Sequence, residues 1–240
     1  EAGLRSFNKS MPEELNRICT DHFSNILFCP GSIAVGNLKK EGIINNVYNT
    51  GDVMKDAVLS NKSKIKLAYI KNKFGITDIS KYYFMTIHRQ ENTDNLERLK
   101  RILKIAASAK NKVLFSIHPR TEKIIKNHNL KLSNNIIPLK PVNYLESLVL
   151  QKSSIIVLTD SGGIQKEAYF LSRPCITFRN ETEWTETVKY GFNAIVDVNL
   201  DKFKSAERKF LDNLLNYKMY KLYGDGKASV KLTRILNEKI

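Results

Sequence analysis

One stretch constrains the fold more than any other: Ile155-Ile156-Val157-Leu158-Thr159-Asp160-Ser161-Gly162-Gly163-Ile164-Gln165-Lys166-Glu167-Ala168. An apolar, β-branched run of strand length passes through Asp-Ser-Gly-Gly into a segment of helical character. Strands buried on both faces of a parallel sheet read this way, continuous rather than alternating. Asp160 or Ser161 can cap the helix, and the two glycines let a ligand approach the backbone closely. Unpaired N–H groups at such a helix N-terminus face one point and suit a phosphate. An ordinary strand–turn–helix connection accounts for the same residues, because short glycine motifs are common.

The flanking chain favours an α/β alternation. Strands are expected at Tyr82–Ile87, Val113–Ile117, Ile136–Leu139, Ile155–Leu158 and Cys175–Phe178. Helices are expected between them, at Asn95–Lys110, Glu122–Asn127, Tyr144–Gln151 and from Gly162 to about Leu171. Such alternation implies a doubly wound parallel sheet with ligands at the carboxyl ends of its strands. Upstream, Met11-Pro12-Glu13-Glu14 opens a helix, with proline suited to the first turn and the acids to the helix dipole. Short strands at Asn25–Pro30 and Val47–Asn49 flank a helix over Ser32–Glu41. One long basic helix is expected over Val53–Phe74, and two helical stretches beyond Lys202 are separated by Tyr223-Gly224-Asp225-Gly226.

The chemistry is expected where three strands end alike, at Ile87-His88-Arg89, Ile117-His118-Pro119-Arg120 and Thr159-Asp160-Ser161-Gly162-Gly163. In a parallel sheet these ends share one rim. A lone histidine there is commonly structural, but two His/Arg ends converging on a Gly-Gly turn suit a diphosphate. Glu167 lies one to two turns inside the phosphate-binding helix, where a carboxylate can accept two ribose hydroxyls. Most other acids, including Glu91, Glu181, Glu183 and Glu186, are expected to be solvated or capping. Trp184, the only tryptophan, suits packing or a ligand equally well.

Composition enters through charge. The formal net charge is +15, which admits nucleic acid, an anionic membrane or an anionic small substrate. The lysines are scattered over helical stretches, so most of the charge reads as solvated surface. No apolar run approaches the ~20 residues of a membrane span. Cys19, Cys29 and Cys175 lack metal-site spacing and are expected as buried free thiols of a reducing, cytoplasmic compartment.

Six motifs, Glu-Ala-Gly-Leu-Arg, Pro-Glu-Glu-Leu-Asn-Arg, Ile-His-Arg-Gln-Glu-Asn, His-Pro-Arg-Thr, Asp-Ser-Gly-Gly-Ile-Gln-Lys-Glu-Ala and Tyr-Gly-Asp-Gly-Lys-Ala-Ser, occur in this order. The set resembles the non-hydrolysing UDP-N-acetylglucosamine 2-epimerases over essentially the whole chain. The resemblance implies two Rossmann-like lobes as in GT-B glycosyltransferases, with a UDP-sugar in the interlobe cleft. It implies inversion at C2 without NAD or metal, by elimination of UDP to a 2-acetamidoglucal and re-addition after reprotonation on the other face. Residue by residue, it implies catalytic roles for Glu1, Glu13 and His88. It places the diphosphate on Ser161, Gly162 and Gly163, the ribose on Glu167, and further substrate contacts on Arg89, His118 and Trp184. The expected partner is the UDP-sugar, without nucleic acid or membrane, and the expected assembly is a homodimer.

The resemblance also implies that the first lobe begins upstream, so the chain is expected to be a fragment with that lobe incomplete. Residues 1–50 are expected as its remnant, 51–200 as the UDP-binding lobe and 201–240 as helices packing back across both. Trp184 stands where many bacterial members have arginine, and Val142 and Ser147 where they have glutamine and phenylalanine near the uridine. His-Pro-Arg-Thr and Thr-Glu-Trp resemble an archaeal and diacetamido-sugar branch. The alternatives are a 2-epimerase of a related UDP-diacetamido sugar, a GT-B-type glycosyltransferase, a nucleic-acid-binding protein and an inactive truncated product.

Overall fold

The computed structural model describes residues 1–9, 11–64, 66–213 and 220–239. They fall into two units. The first lies within Glu1–Ser60, Glu181–Glu186 and Met219–Ile240, and the second within Asn61–Asn180 and Thr187–Lys218.

In the first unit, Pro12 and the acids Glu13 and Glu14 open helix α1 (Pro12–Phe23), as proline and negative charge favour. Strands β1 (Leu27–Cys29) and β2 (Val47–Asn49) pair in parallel through the crossover helix α2 (Ser32–Lys40). The N-terminal motif is clamped onto these elements. Gly3 has φ +77°, and a Cβ there would stand 2.2 Å from the carbonyl oxygen of Ala34, so glycine is required by conformation and by space. Arg5 is 2% exposed. It grips Glu41 through Nε and Nη2, both at 2.7 Å, and Asp21 through Nη1 at 2.8 Å. A buried guanidinium is tolerated only when paired in this way.

The long helix expected over Val53–Phe74 is instead two, α3 (Val53–Asn61) and α4 (Leu67–Phe74). Each buries its own anchor, Val58 and Ile70, both at 0% exposure. After α3, Lys62, Ser63 and Lys64 are exposed and bury no side chain. Gly75 then closes α4 in the left-handed region, at φ 64°.

The second unit follows the expected alternation: β3 (Tyr82–Thr86), α5 (Gln90–Thr93), α6 (Leu96–Ala107), β4 (Lys112–Ser116), α7 (Pro119–Asn127), β5 (Ile136–Leu139), α8 (Tyr144–Ser153), β6 (Ile156–Thr159), α9 (Gly162–Phe170), β7 (Cys175–Thr177), then, after α10 (Thr185–Lys189), whose first two residues are assigned to the first unit, β8 (Asn193–Ile195) and α11 (Leu200–Asp212). The six strands form one sheet in the order β5-β4-β3-β6-β7-β8, with every neighbouring pair parallel. Both faces are covered. Tyr83, Met85, Val113 and Phe115 pack with α6 and α11 through Leu99, Ile102, Phe203 and Phe210. On the other face, Tyr82, Phe84 and Leu114 pack with Ile70, Val149 and Leu150. Full burial of each such side chain contributes ~1.5–3 kcal/mol relative to exposure. Two-sided burial is why the strands read as unbroken apolar runs. Three-residue β8 lacks such a run, and the sequence pattern misses it.

A last helix, α12 (Ala228–Lys239), is capped from within the first unit. Asp56 accepts from the N–H groups of Ala228 and Ser229, at 3.1 and 2.8 Å, and from Ser229 Oγ at 2.8 Å. Among the described residues no helix is long and apolar enough to cross a membrane.

The thiols depart from expectation at one position. Cys29 and Cys175 are buried, but Cys19 is exposed on the outer side of α1. Burial pushes the Cys29 thiol up to about 11 and the Cys175 thiol up to about 12. Iodoacetamide at pH 8 is therefore expected to label Cys19 alone in the native protein, as read by intact mass and peptide mapping. Rapid native labelling of Cys175 would contradict its place between β6 and β8.

Candidate active site

The strand order of the second unit reverses between β3 and β6. The connection from β3 leads to one side of the sheet and that from β6 to the other, which opens a crevice at their carboxyl ends. A cavity of ≈ 290 Å³ lies there, lined by residues that include Thr86, His88, Ser116, His118, Tyr144, Ser161, Ile164 and Glu167. Val142 and Ser147 line it as well.

Asp160 ties the two strand ends together. It is fully buried and accepts from the main-chain N–H groups of His88, at 3.1 Å, and Arg89, at 2.9 Å, and from Asn92 Nδ2 at 3.0 Å. His88 Nδ1 lies 3.5 Å from Asp160 Oδ1, so the carboxylate turns one ring nitrogen inward and leaves Nε2 as the nitrogen facing other partners. Of the two residues able to cap α9, Ser161 does so: its Oγ accepts from Ile164 N–H at a long 3.5 Å. The serine N–H is in turn held by Thr159 Oγ1 at 3.0 Å.

Gly162 and Gly163 are the first two residues of α9. Their N–H groups have no carbonyl within the helix to bind, and they stand at the positive end of its dipole. The helix is fixed to the sheet by a buried polar chain. Gln165 Oε1 accepts from Asn193 Nδ2 at 2.9 Å, and Asn193 Oδ1 accepts from Thr177 Oγ1 at 2.7 Å. Glu167, further along α9, is 7% exposed and lines the cavity. Its Oε2 accepts from Gln151 Nε2 at 2.7 Å, and burial pushes its carboxyl above the usual range.

His118 caps α7, its Nδ1 accepting from Arg120 N–H at 3.2 Å. A ring nitrogen that accepts carries no proton, which leaves Nε2 as a donor. The His88 and His118 rings stand 5.9 Å apart. Arg89 is half-buried at the end of β3, whereas the guanidinium of Arg120 is committed to Asp94, at 2.5 and 2.8 Å.

Glu1, Glu13 and Trp184 belong to the first unit. Glu13 is exposed on the first turn of α1. Glu1 is exposed, with Oε2 4.0 Å from Arg17 Nε. The same guanidinium lies 3.6 Å from Glu14 and 3.7 Å from Glu183. Glu14, adjacent to the residue the motif singles out, is buried and folds the preceding loop: it accepts from Ser6 N–H and Phe7 N–H, both at 2.9 Å, and from Ser6 Oγ at 3.0 Å. Glu183 and Glu186, expected to be solvated or capping, are each 5% exposed. Arg17 draws Glu183 inward, and burial raises the Glu186 carboxyl beside Tyr223 Oη, 3.4 Å away. Trp184 is 1% exposed and stands edge-on to Tyr223.

Known proteins are similar to this chain along nearly its whole length. The sequence profile described as UDP-N-acetylglucosamine 2-epimerase matches residues 1–237. The chain belongs to the UDP-N-acetylglucosamine 2-epimerase family. A UDP-N-acetylglucosamine 2-epimerase homolog of Methanococcus maripaludis is 46% identical over 247 residues, spanning 98% of this chain and 67% of its own. The UDP-2,3-diacetamido-2,3-dideoxy-D-glucuronate 2-epimerase of Pseudomonas aeruginosa is 40% identical, over 98% of this chain and 66% of its own. The crystal structure of the Methanocaldococcus jannaschii UDP-GlcNAc 2-epimerase in complex with UDP-GlcNAc and UDP superimposes with a TM-score of 0.85 at 42% identity, over 99% of this chain and 68% of that one. The chain thus spans about two-thirds of the length of these family members. The family's parallel α/β fold, Rossmann-like as in GT-B glycosyltransferases, is the fold expected from the sequence.

Proposed function

We propose that the protein is a UDP-sugar 2-epimerase that interconverts UDP-GlcNAc and UDP-ManNAc. The observation that carries this reading is the cavity at the β3/β6 switch point, where the N-terminus of α9, two histidines and the Glu167 carboxylate converge. In it the diphosphate lies against Ser161, Gly162 and Gly163, with His88, Arg89 and His118 supplying further donors. Glu167 accepts the ribose hydroxyls. A carboxylate takes the weakly acidic C2 proton while the C1–O bond breaks with its electron pair leaving on UDP. The resulting 2-acetamidoglucal is reprotonated at C2 on the opposite face as UDP adds back to C1. Glu1 and Glu13 carry the C2 proton, and His88, held by Asp160, acts at the departing diphosphate.

A second reading, 2-epimerisation of a UDP-diacetamido sugar, draws support from the Pseudomonas aeruginosa relative at 40% identity. Assays with the two sugars side by side decide between them. A glycosyltransferase would require an acceptor, whereas an epimerase converts the UDP-sugar alone. The +15 charge gives a nucleic-acid reading its only support. Such binding would weaken on the order of 10³-fold between 50 and 200 mM salt.

Glu167→Gln tests the ribose assignment. Exchanging a charged acceptor for an amide is expected to weaken UDP and both UDP-sugars by the same ~10-fold or more, as read by calorimetry. A loss confined to one sugar would move Glu167 from ribose to sugar recognition.

A further inference from the structure

Behind Glu167 stands a side chain to which neither the motifs nor the family resemblance gives a task. Gln151, near the end of α8, is fully buried. Its Nε2 donates to Glu167 Oε2 at 2.7 Å and to Ser147 Oγ at 3.1 Å. Its Oε1 is buried with no hydrogen-bond partner among the described residues. An unpaired carbonyl in the interior is costlier than an apolar side chain of the same volume, so packing does not account for glutamine here. The amide does something an apolar residue could not: it holds one oxygen of the carboxylate that lines the cavity. The terminal torsion of a glutamate is broad, and a short charge-assisted bond from behind narrows it. With Oε2 so held, Oε1 and the remaining lone pair of Oε2 stay available to acceptor work.

We propose that Gln151 is a positioning residue for the nucleotide, setting the Glu167 carboxylate to accept the two ribose hydroxyls of a ribonucleoside diphosphate. This rests on the reading of Glu167 as the ribose carboxylate. Burial raises the Glu167 carboxyl, and the Gln151 bond opposes that rise. The other groups that face it are Lys166 on its own helix and Tyr144 at the start of α8. His88 and His118 line the same cavity from the ends of β3 and β4. All of these are retained in the variants below, so differences from the wild-type pH profile report on Glu167 and, in Gln151→Glu, on the carboxylate introduced beside it.

The experiment measures dissociation constants of UDP and 2′-deoxy-UDP by calorimetry from pH 5.5 to 8.5. The proteins are the wild type, Glu167→Gln, Gln151→Met and Gln151→Glu. The wild type is expected to favour the ribonucleotide by ~10-fold, the effect of one hydrogen bond to a charged group, and Glu167→Gln to lose that preference. Gln151→Met removes a donor to the ionised carboxylate. It should shrink the preference to within about 2-fold and make UDP binding fall away at the acid end, where Glu167 gains its proton. Gln151→Glu, nearly isosteric, should do the reverse. Binding holds while the buried pair shares a proton and is lost as pH rises and two carboxylates repel. Wild-type preference and pH profile in Gln151→Met would overturn the proposal. If that variant does not fold, a wild-type profile in Gln151→Glu overturns it equally. A wild type indifferent to the 2′-hydroxyl, or a Glu167→Gln that keeps the preference, instead overturns the ribose reading on which the proposal stands.

Discussion

Gly162→Asp is expected to abolish the thermal stabilisation of the protein by UDP while leaving its fold intact. Gly162 is the first residue of α9, and Ser161 caps that helix. An acidic side chain in a first helical turn is favourable to the helix, so folding should survive the substitution. The same carboxylate places a fixed negative charge and a Cβ where the proposed diphosphate site meets the backbone N–H groups. Ligand present at 100-fold its dissociation constant stabilises the wild type by ~2.7 kcal/mol, a rise in Tm of roughly 5–10 °C for a chain of this size. The variant should show no rise at the same UDP concentration. Uridine without phosphates should stabilise neither protein appreciably. Undiminished stabilisation of the variant by UDP would remove the diphosphate from Ser161-Gly162-Gly163.

The second large effect concerns Glu13. A solvated carboxylate is a poor base for a proton as weakly acidic as C2–H, and Glu13 is exposed on the first turn of α1. The proposed role as base therefore requires that bound UDP-sugar exclude water from it. Glu13→Gln preserves size and hydrogen bonding but cannot take up a proton. In the whole protein, exchange of the C2 hydrogen should drop by at least ~10²-fold, while UDP still binds. Its neighbour Glu14 serves as the contrast, because three hydrogen bonds from Ser6 and Phe7 commit it to the loop. If Glu13→Gln exchanged at the wild-type rate, the C2 proton would belong to another group.

Much of the second unit is legible in the sequence because two-sided burial leaves a strong signature. Tyr82–Thr86, Lys112–Ser116 and Ile156–Thr159 each carry an apolar run, and in a parallel sheet their ends must meet at one rim. His88, His118, Ser161 and Glu167 are found together for that reason. What the sequence hides is set by partners distant along the chain. Asp160 reads as a candidate cap, yet its oxygens serve the turn after β3, more than 70 residues away for His88 N–H at 3.1 Å. Glu183 looks solvated among polar neighbours, and only the fold brings Arg17 to within 3.7 Å of it. Gln151 follows an apolar run in α8 and carries no motif, and its 2.7 Å bond to Glu167 exists only once α8 and α9 pack. The break between α3 and α4 is missed for another reason, since basic, polar sequence continues helically as readily as it stops until the core assigns separate anchors to Val58 and Ile70.

The central claim is tested most directly by incubating the whole protein with UDP-GlcNAc in D2O, without acceptor or added cofactor, and following C2 of the recovered nucleotide sugar by NMR. Elimination and re-addition predict deuterium at C2 of UDP-GlcNAc together with the appearance of UDP-ManNAc. Recovery of UDP-GlcNAc with protium at C2 and no second epimer, from protein that binds UDP, would contradict the account.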